Sequence, residues 1–270
     1  MAIPLQQQFP VWSELGEYCL SKIKQGIKNE ADAKKFLRWF NKREHLGWCF
    51  DHFLVFKAYT IWKELEKGYD HFTVLTGREG TGKSTLGMQL AAWVVPSYNL
   101  SGLVDNSEDY NKILEARAVE TVKLKLQDKK PERIALIMDE GTELLSRESM
   151  KKSNVSFLKT FLTQRRLNMF IVICIPNFFF LDASIRQHRV RSLLHIYDRG
   201  KYKYFSTKAI PIVADAGAKH KQVLKVKLPD DQFQYGQFNK DIPKSLNWEE
   251  YDDWKLSRIV SLLKKPEKSK

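Results

Sequence analysis

The chain has 270 residues, 43% hydrophobic and 29% charged, with a formal net charge of +13. That is enough apolar material for one substantial core, or one core with a small appendage, and it excludes wholesale disorder. The charge favours anionic partners, nucleic acid first and an acidic membrane surface second, beside the plain alternative of a Lys-rich surface.

In chain order, residues 9–70 read as helical. The run "NEADAKKFLRWFNKREHLG" sets Ala33, Phe36, Leu37 and Phe40 on one helical face, with Asn29 as the start cap and Gly47 as the stop. A second helix is expected from about Cys49 to Lys67, ending at Gly68. Trp12, Trp39, Trp48 and Trp62 stud this region and are expected to pack against the next domain. "HFTVLT" reads as a buried strand, "KSTLGMQLAAWVV" as a helix ending at Pro96, and "LSGLVDN" as holding a short strand. "SEDYNKILEARAVETVK" predicts a helix capped by Ser107. "RIALIMDE" is an unbroken apolar strand, as in a sheet covered on both faces. "NVSFLKTFLTQRR" predicts a helix, "MFIVICI" a strand, and "RSLLHIYDRGKYKYFSTKAI" a strand followed by a hairpin.

This alternation predicts an α/β fold with a central, mostly parallel sheet flanked by helices. After Lys208 the pattern loosens. "KHKQVLKVKL" looks strand-like and "PDDQFQYGQFNKDIPKSL" loop-like. "NWEEYDDWKLSRIVSLLKK" is a terminal helix with Asn247 as cap and Glu250 in the capping-box position. The expected division is a helical N-terminal extension (1–69), a core (70–210) and a small C-terminal appendage (211–270).

Cys19, Cys49 and Cys174 show neither metal spacing nor a disulfide framework, which fits a reducing, cytoplasmic compartment. "MAIPLQQQFPVW" lacks a basic region followed by an apolar one, so no signal peptide is expected. The apolar run "FIVICIPN" is broken by Pro176 and Asn177, far short of the roughly 20 residues of a spanning helix, so no transmembrane segment is expected.

The strongest signal is "GREGTGKST", Gly77, Arg78, Glu79, Gly80, Thr81, Gly82, Lys83, Ser84 and Thr85. It matches G-x-x-x-x-G-K-[ST] between a predicted strand and a predicted helix. Its glycines let backbone N–H groups turn inward on phosphates, and the helix offers its positive end to the same anion. Lys83 is expected to reach the β- and γ-phosphates of ATP, and Ser84 to ligate Mg²⁺. The strand "IALIMD" delivers Asp139 to hold the same Mg²⁺, and Glu140 follows as the candidate that polarises the attacking water.

These two motifs resemble the P-loop NTPases of the ASCE type, the ATPases with an additional catalytic glutamate, which include AAA+, RecA-like and FtsK–HerA-like proteins. No N-K-x-D guanine-reading motif is present, which argues against a GTPase. The resemblance implies that the next strand ends in a residue sensing the γ-phosphate, here Asn177, where FtsK–HerA-type proteins usually carry Gln. "FFFLDASIRQHRVRSLLHIY" is similar to segments of viral DNA-packaging and zonular-occludens-toxin-like morphogenesis ATPases. In such machines an arginine from a neighbouring subunit stabilises the transition state. Arg165, Arg166, Arg186, Arg189 and Arg191 are the candidates, Arg166 and Arg189 the favoured ones. The loop "SRESMKKSN" offers Arg147, Lys151 and Lys152 either to a phosphate backbone or simply to solvent.

The resemblance thus implies an ATPase, oligomeric as a ring, acting on DNA. One alternative is a AAA+-like DNA loader or a transposition or replication regulator. Another is a nucleotide-gated assembly protein or membrane-associated scaffold, its charge then serving an acidic lipid surface.

Overall fold

Seven consecutive residues, His71–Gly77, are buried without a break and form β1. In the computed structural model, residues 12–22, 27, 29–139, 167–220 and 222–264 are described. The helices before β1 are α1 (Trp12–Lys22), α2 (Glu30–Asn41) and α3 (His52–Glu66). After it come α4 (Lys83–Val94), β2 (Leu103–Val104), α5 (Ser107–Lys125) and β3 (Ile134–Asp139). The chain continues through β4 (Met169–Ile175), α6 (Ala183–His188), β5 (Ser192–Asp198) and β6 (Lys201–Phe205). It ends with α7 (Ala209–His220), β7 (Phe233–Gln237) and α8 (Trp248–Lys264).

Among the described residues, seven strands form one sheet in the order β2-β3-β4-β1-β5-β6-β7. The first five are parallel, and β6 and β7 add antiparallel at one edge. The fold is therefore α/β with a mostly parallel sheet, as expected. β4 lies between β1 and β3, pairing Leu75 with Cys174 and Asp139 with Cys174. That register brings the carboxyl ends of the phosphate-loop strand and the Asp139 strand to one edge, one strand apart.

Alternation along the strands sends side chains to two cores. Leu75, Ile137, Val172, Cys174 and Ile196 face α1–α4, while Val74, Met138, Ile171, Ile173 and Leu193 face α5–α7. The first core centres on Trp93, fully buried in α4 with Trp12, Trp39, Phe40, Trp48 and Phe50 around it. Trp12, Trp39 and Trp48 thus pack against α4, while Trp62 packs on Trp39 and Tyr59. Among the described residues, no helix is long and apolar enough to cross a membrane.

Several local expectations are corrected. Asn29 does cap α2, accepting from the Asp32 N–H, but the helix stops at Asn41 and Gly47 (φ 73°) closes a separate 3-10 turn. Asn106 rather than Ser107 caps α5, its Oδ1 accepting from the Asp109 N–H at 2.9 Å. "KHKQVLKVKL" is not a strand: its start closes α7 and Val223–Lys225 is a 3-10 turn. The segment read as a loop from Pro229 contains β7. That strand is held from outside, by pairing with β6 and by Asp51, whose Oδ2 accepts from the Gln237 N–H at 2.8 Å. Asn247 caps α8 as expected, accepting from the Glu249 N–H. The helix expected over 154–166 lies outside the described residues.

Candidate functional site

β1 ends at Gly77 and α4 starts at Lys83, so the phosphate-loop motif spans the turn from a central strand into a helix. Gly77 has φ 145°, and a side chain there would collide with the Ile196 carbonyl oxygen. Gly82 sits in the left-handed region at φ 97°, as the N-cap of α4. Both positions require glycine. No side chain caps α4, so its first N–H groups are left to meet an anion.

Lys83 Nζ donates to the carbonyls of Gly77 and Arg78, each at 3.0 Å. Thr81 Oγ1 braces the loop by donating to the Arg78 carbonyl at 2.7 Å. Ser84 Oγ donates to Asp139 Oδ1 at 2.6 Å. A cavity of about 440 Å³ runs over Glu79 to Thr85 and Asp139. Five cations line it, Lys83, Arg199, Lys240, Lys255 and Arg258, against two carboxylates, Glu79 and Asp139. The balance selects an anion. Cys174 lies at the cavity's base, its thiol pushed up by full burial.

The C-terminal helix contributes side chains that no motif in the sequence singled out. Trp248, Tyr251, Lys255 and Arg258 of α8 all line the cavity. Tyr251 is buried beside Ser84 and Lys255, and burial raises its phenol. Lys255 Nζ sits 4.5 Å from the Tyr251 ring centroid. Burial acts to lower the Lys255 ammonium, but the neighbouring Tyr251 and the Asp139 charge outweigh this and hold it above its ordinary value. Arg258 Nε meets Asp105 Oδ2 at 3.2 Å, fixing α8 beyond β2. A signal was present: these four residues recur at helical spacing, an aromatic–cation stripe on one face.

Asn177 lies elsewhere. It caps the 3-10 turn Phe178–Phe180, its Oδ1 accepting from the Phe179 N–H at 3.0 Å. With Gly77, Arg78 and His195 it lines a second cavity of about 530 Å³, on the β5 side of the loop. Pro176 borders both cavities, and its carbonyl accepts from the Gly77 N–H at 3.3 Å. His195 Nδ1 is 2.9 Å from Thr76 Oγ1, and burial, helped by Lys203, lowers the pKa of the ring.

Arg189 is at the other end of the sheet. It ends α6, is 9% exposed, and its charge acts on Asp70, immediately before β1. The length of β1, about 20 Å, separates it from Gly77. A buried arginine facing its own chain is not presented to a neighbour, which corrects the expectation of a finger there. Glu140, Arg147, Lys151, Lys152, Arg165 and Arg166 lie outside the described residues.

No family model and no curated protein matches the chain. Among solved structures it is similar to the N-terminal domain of zonular occludens toxin from Neisseria meningitidis, at 19% identity and TM-score 0.31, covering 51% of this chain and 83% of that one. The E. coli MS115-1 HORMA:CdnC:Trip13 complex matches at 17% identity and TM-score 0.36, covering 59% and 61%. The FIGL-1 AAA domain matches at 19% identity and TM-score 0.37, covering 74% and 65%. The chain spans less than two thirds of the length of these last two. At such scores the likenesses carry nothing about activity, and what bears on function is the geometry of the loop, Asp139 and α8.

Proposed function

We propose that the chain is a Mg²⁺-dependent ATPase that acts on DNA as an oligomeric ring motor of the translocation or packaging type. The observation that carries the ATPase reading is the Ser84–Asp139 hydrogen bond of 2.6 Å beside Lys83, at the mouth of an uncapped helix. A hydroxyl and a carboxylate held together there are the donor set a hard cation takes from a protein when phosphate oxygens supply the rest. The residues therefore fit Mg²⁺·ATP, with Ser84 and Asp139 on the metal side and Lys83 with the loop N–H groups on the phosphates. Held by Ser84 and Asp139, Mg²⁺ would supply neutralisation of the negative charge that develops on the phosphates.

In this reading Glu140 orients the attacking water, while Asn177, which caps its own 3-10 turn and lines the second cavity, is not assigned to the γ-phosphate. Of the two favoured finger candidates, Arg166 is the one carried forward. The DNA-directed part rests on the net charge of +13 and on the motif resemblance. Past Lys208 the described chain builds α7, β7 and α8 against the same two cores, not a free-standing helical lid, which favours a motor over a loader.

The test is the ATPase rate against protein concentration, with and without DNA, for wild type and Glu140→Gln. Steep concentration dependence, stimulation by DNA and loss of turnover in Glu140→Gln are expected. Turnover indifferent to DNA across a range of salt would sink the motor, and full turnover in Glu140→Gln would remove its assigned role.

A further inference from the structure

A second cationic recess lies at the amino ends of the strands, away from the phosphate loop. α2, the residues just after it, the last turn of α3, Pro96 and Arg133 enclose about 990 Å³. Trp39 and Trp62 form its apolar floor, and the lining includes no carboxylate. Glu66, just outside, pairs with Lys35 at 2.5 Å and stands 3.9 Å from Arg133. Arg38, Lys42 and Arg43 have no ion pair among the described residues.

Arg43 is the decisive residue. It is 2% exposed, its Nε donates to the Trp93 carbonyl and its Nη1 to the Trp39 carbonyl, each at 2.5 Å. Its Cζ lies 4.0 Å from the Trp39 ring centroid. Both acceptors are neutral, so a buried cation stands without a counter-charge, which is costly unless an anion is supplied from outside. Burial, with Arg133 adding repulsion, pulls its pKa down to about 9. Trp39 is also buried, and its indole N–H has no acceptor among the described residues.

We propose that this recess binds single-stranded nucleic acid, with phosphates on the exposed Arg38 and Lys42 next to the uncompensated Arg43 charge, and a base stacked on Arg133, which itself lies 4.8 Å from the Trp62 ring centroid. Cations along a groove with aromatic and guanidinium platforms are the means by which single strands are held. Arg38 and Lys42 are exposed and one helical turn apart, about 6 Å along the axis of α2, so both reach one strand. A flexible strand can enter the recess and bring its phosphates close to the buried Arg43 charge, whereas a flat anionic bilayer cannot. The proposal rests on the DNA-directed reading of the molecule and names where the strand sits.

The experiment is fluorescence anisotropy with a labelled oligothymidylate across a salt series, for wild type, Arg38→Glu/Lys42→Glu and a control, Lys123→Glu/Lys125→Glu, on the exposed end of α5. Removing two phosphate contacts should flatten the slope of log affinity against log salt by about 1.4 and weaken binding about tenfold or more. The control should bind like wild type, and ATP turnover without nucleic acid should be unchanged in both. Wild-type affinity in Arg38→Glu/Lys42→Glu overturns the site and leaves the DNA-directed reading standing. Absence of binding by wild type at low salt overturns both. Flotation with phosphatidylserine vesicles that is lost in Arg38→Glu/Lys42→Glu, without oligonucleotide binding, assigns the recess to lipid and overturns the proposal.

Discussion

The Ser84 hydroxyl donates to Asp139 Oδ1 at 2.6 Å, joining the first turn of α4 to the last residue of β3 across the intervening β4. Ser84→Ala removes one oxygen from the cation's donor set and leaves Asp139, 6% exposed, with one fewer partner. The Mg²⁺ concentration for half-maximal ATP turnover should rise about 10- to 100-fold, the size of a lost charged hydrogen bond. Lys83→Ala should instead lower kcat by about 10²- to 10³-fold at saturating Mg²⁺, because it removes charge stabilisation of the phosphates. A Mg²⁺ titration of both variants separates the two effects. An unchanged Mg²⁺ midpoint in Ser84→Ala would disprove the metal assignment.

α8 makes the site depend on the chain's last helix. Lys255 is held over Tyr251 and lines the cavity beside the loop, so α8 adds a cation to it. Lys255→Ala should raise the KM for ATP about tenfold or more, with a smaller change in kcat, since binding is weakened before the chemistry. Tyr251→Phe keeps the packing and loses the hydroxyl, so its effect should be smaller. Steady-state kinetics at several ATP concentrations decide this. A KM unmoved in Lys255→Ala would place α8 outside the nucleotide's reach.

The phosphate loop and Asp139 were legible because their chemistry is local: a fixed spacing of Gly77, Gly82, Lys83 and Ser84, and an apolar strand ending in an acid. The parallel core strands were legible for the same reason, as continuous buried runs such as Met169–Ile175. What escaped depends on distant partners. β7 reads as a loop because its alternation is short, Phe233 and Tyr235 only, and Gly236 breaks it; pairing with β6 makes it a strand. α7 was hidden by Pro211 and Gly217, although proline is tolerated in a first helical turn. Arg189 looked available in sequence, but the chain buries it beside Asp70. The stripe of Trp248, Tyr251, Lys255 and Arg258 on α8 is visible in sequence, but that it faces the phosphate-loop cavity depends on the fold.

Asp51 ties the segment before the core to the sheet edge after it. Its Oδ1 caps α3 by accepting from the Leu54 N–H at 3.0 Å and also accepts from the Tyr202 hydroxyl at 2.8 Å. Burial raises its carboxyl against these bonds. Asp51→Ala loses a helix cap and strands the Tyr202 hydroxyl, and should cost about 2–4 kcal/mol in urea unfolding. Gly236→Ala should destabilise by a different route, because its methyl would collide with the Tyr202 hydroxyl and the Asp51 carboxylate. That variant should expose β7 to hydrogen exchange ahead of β1. Uniform exchange across the sheet would show that Asp51 and Gly236 do not fasten the edge.

Glu64 gives the fold a pH dependence with a definite sign. His71 Nδ1–H donates to Glu64 Oε2 at 2.6 Å, while Nε2 of the same ring lies 3.0 Å from Ser192 Oγ, linking α3, β1 and β5. Burial works to raise the Glu64 carboxyl, but the His71 bond, with His71, Arg191 and Lys57 charge, prevails and lowers it. A group whose pKa is depressed by folding stabilises the protein above its unfolded value, and that contribution disappears as pH falls through the folded value. Wild type should therefore be more stable than Glu64→Gln near neutrality, and the gap should close on acidification below the ordinary glutamate range. Urea midpoints for both proteins at a series of pH values test this. A gap that stays constant or widens in acid would show that the Glu64–His71 pair does not stabilise the folded chain through its charge.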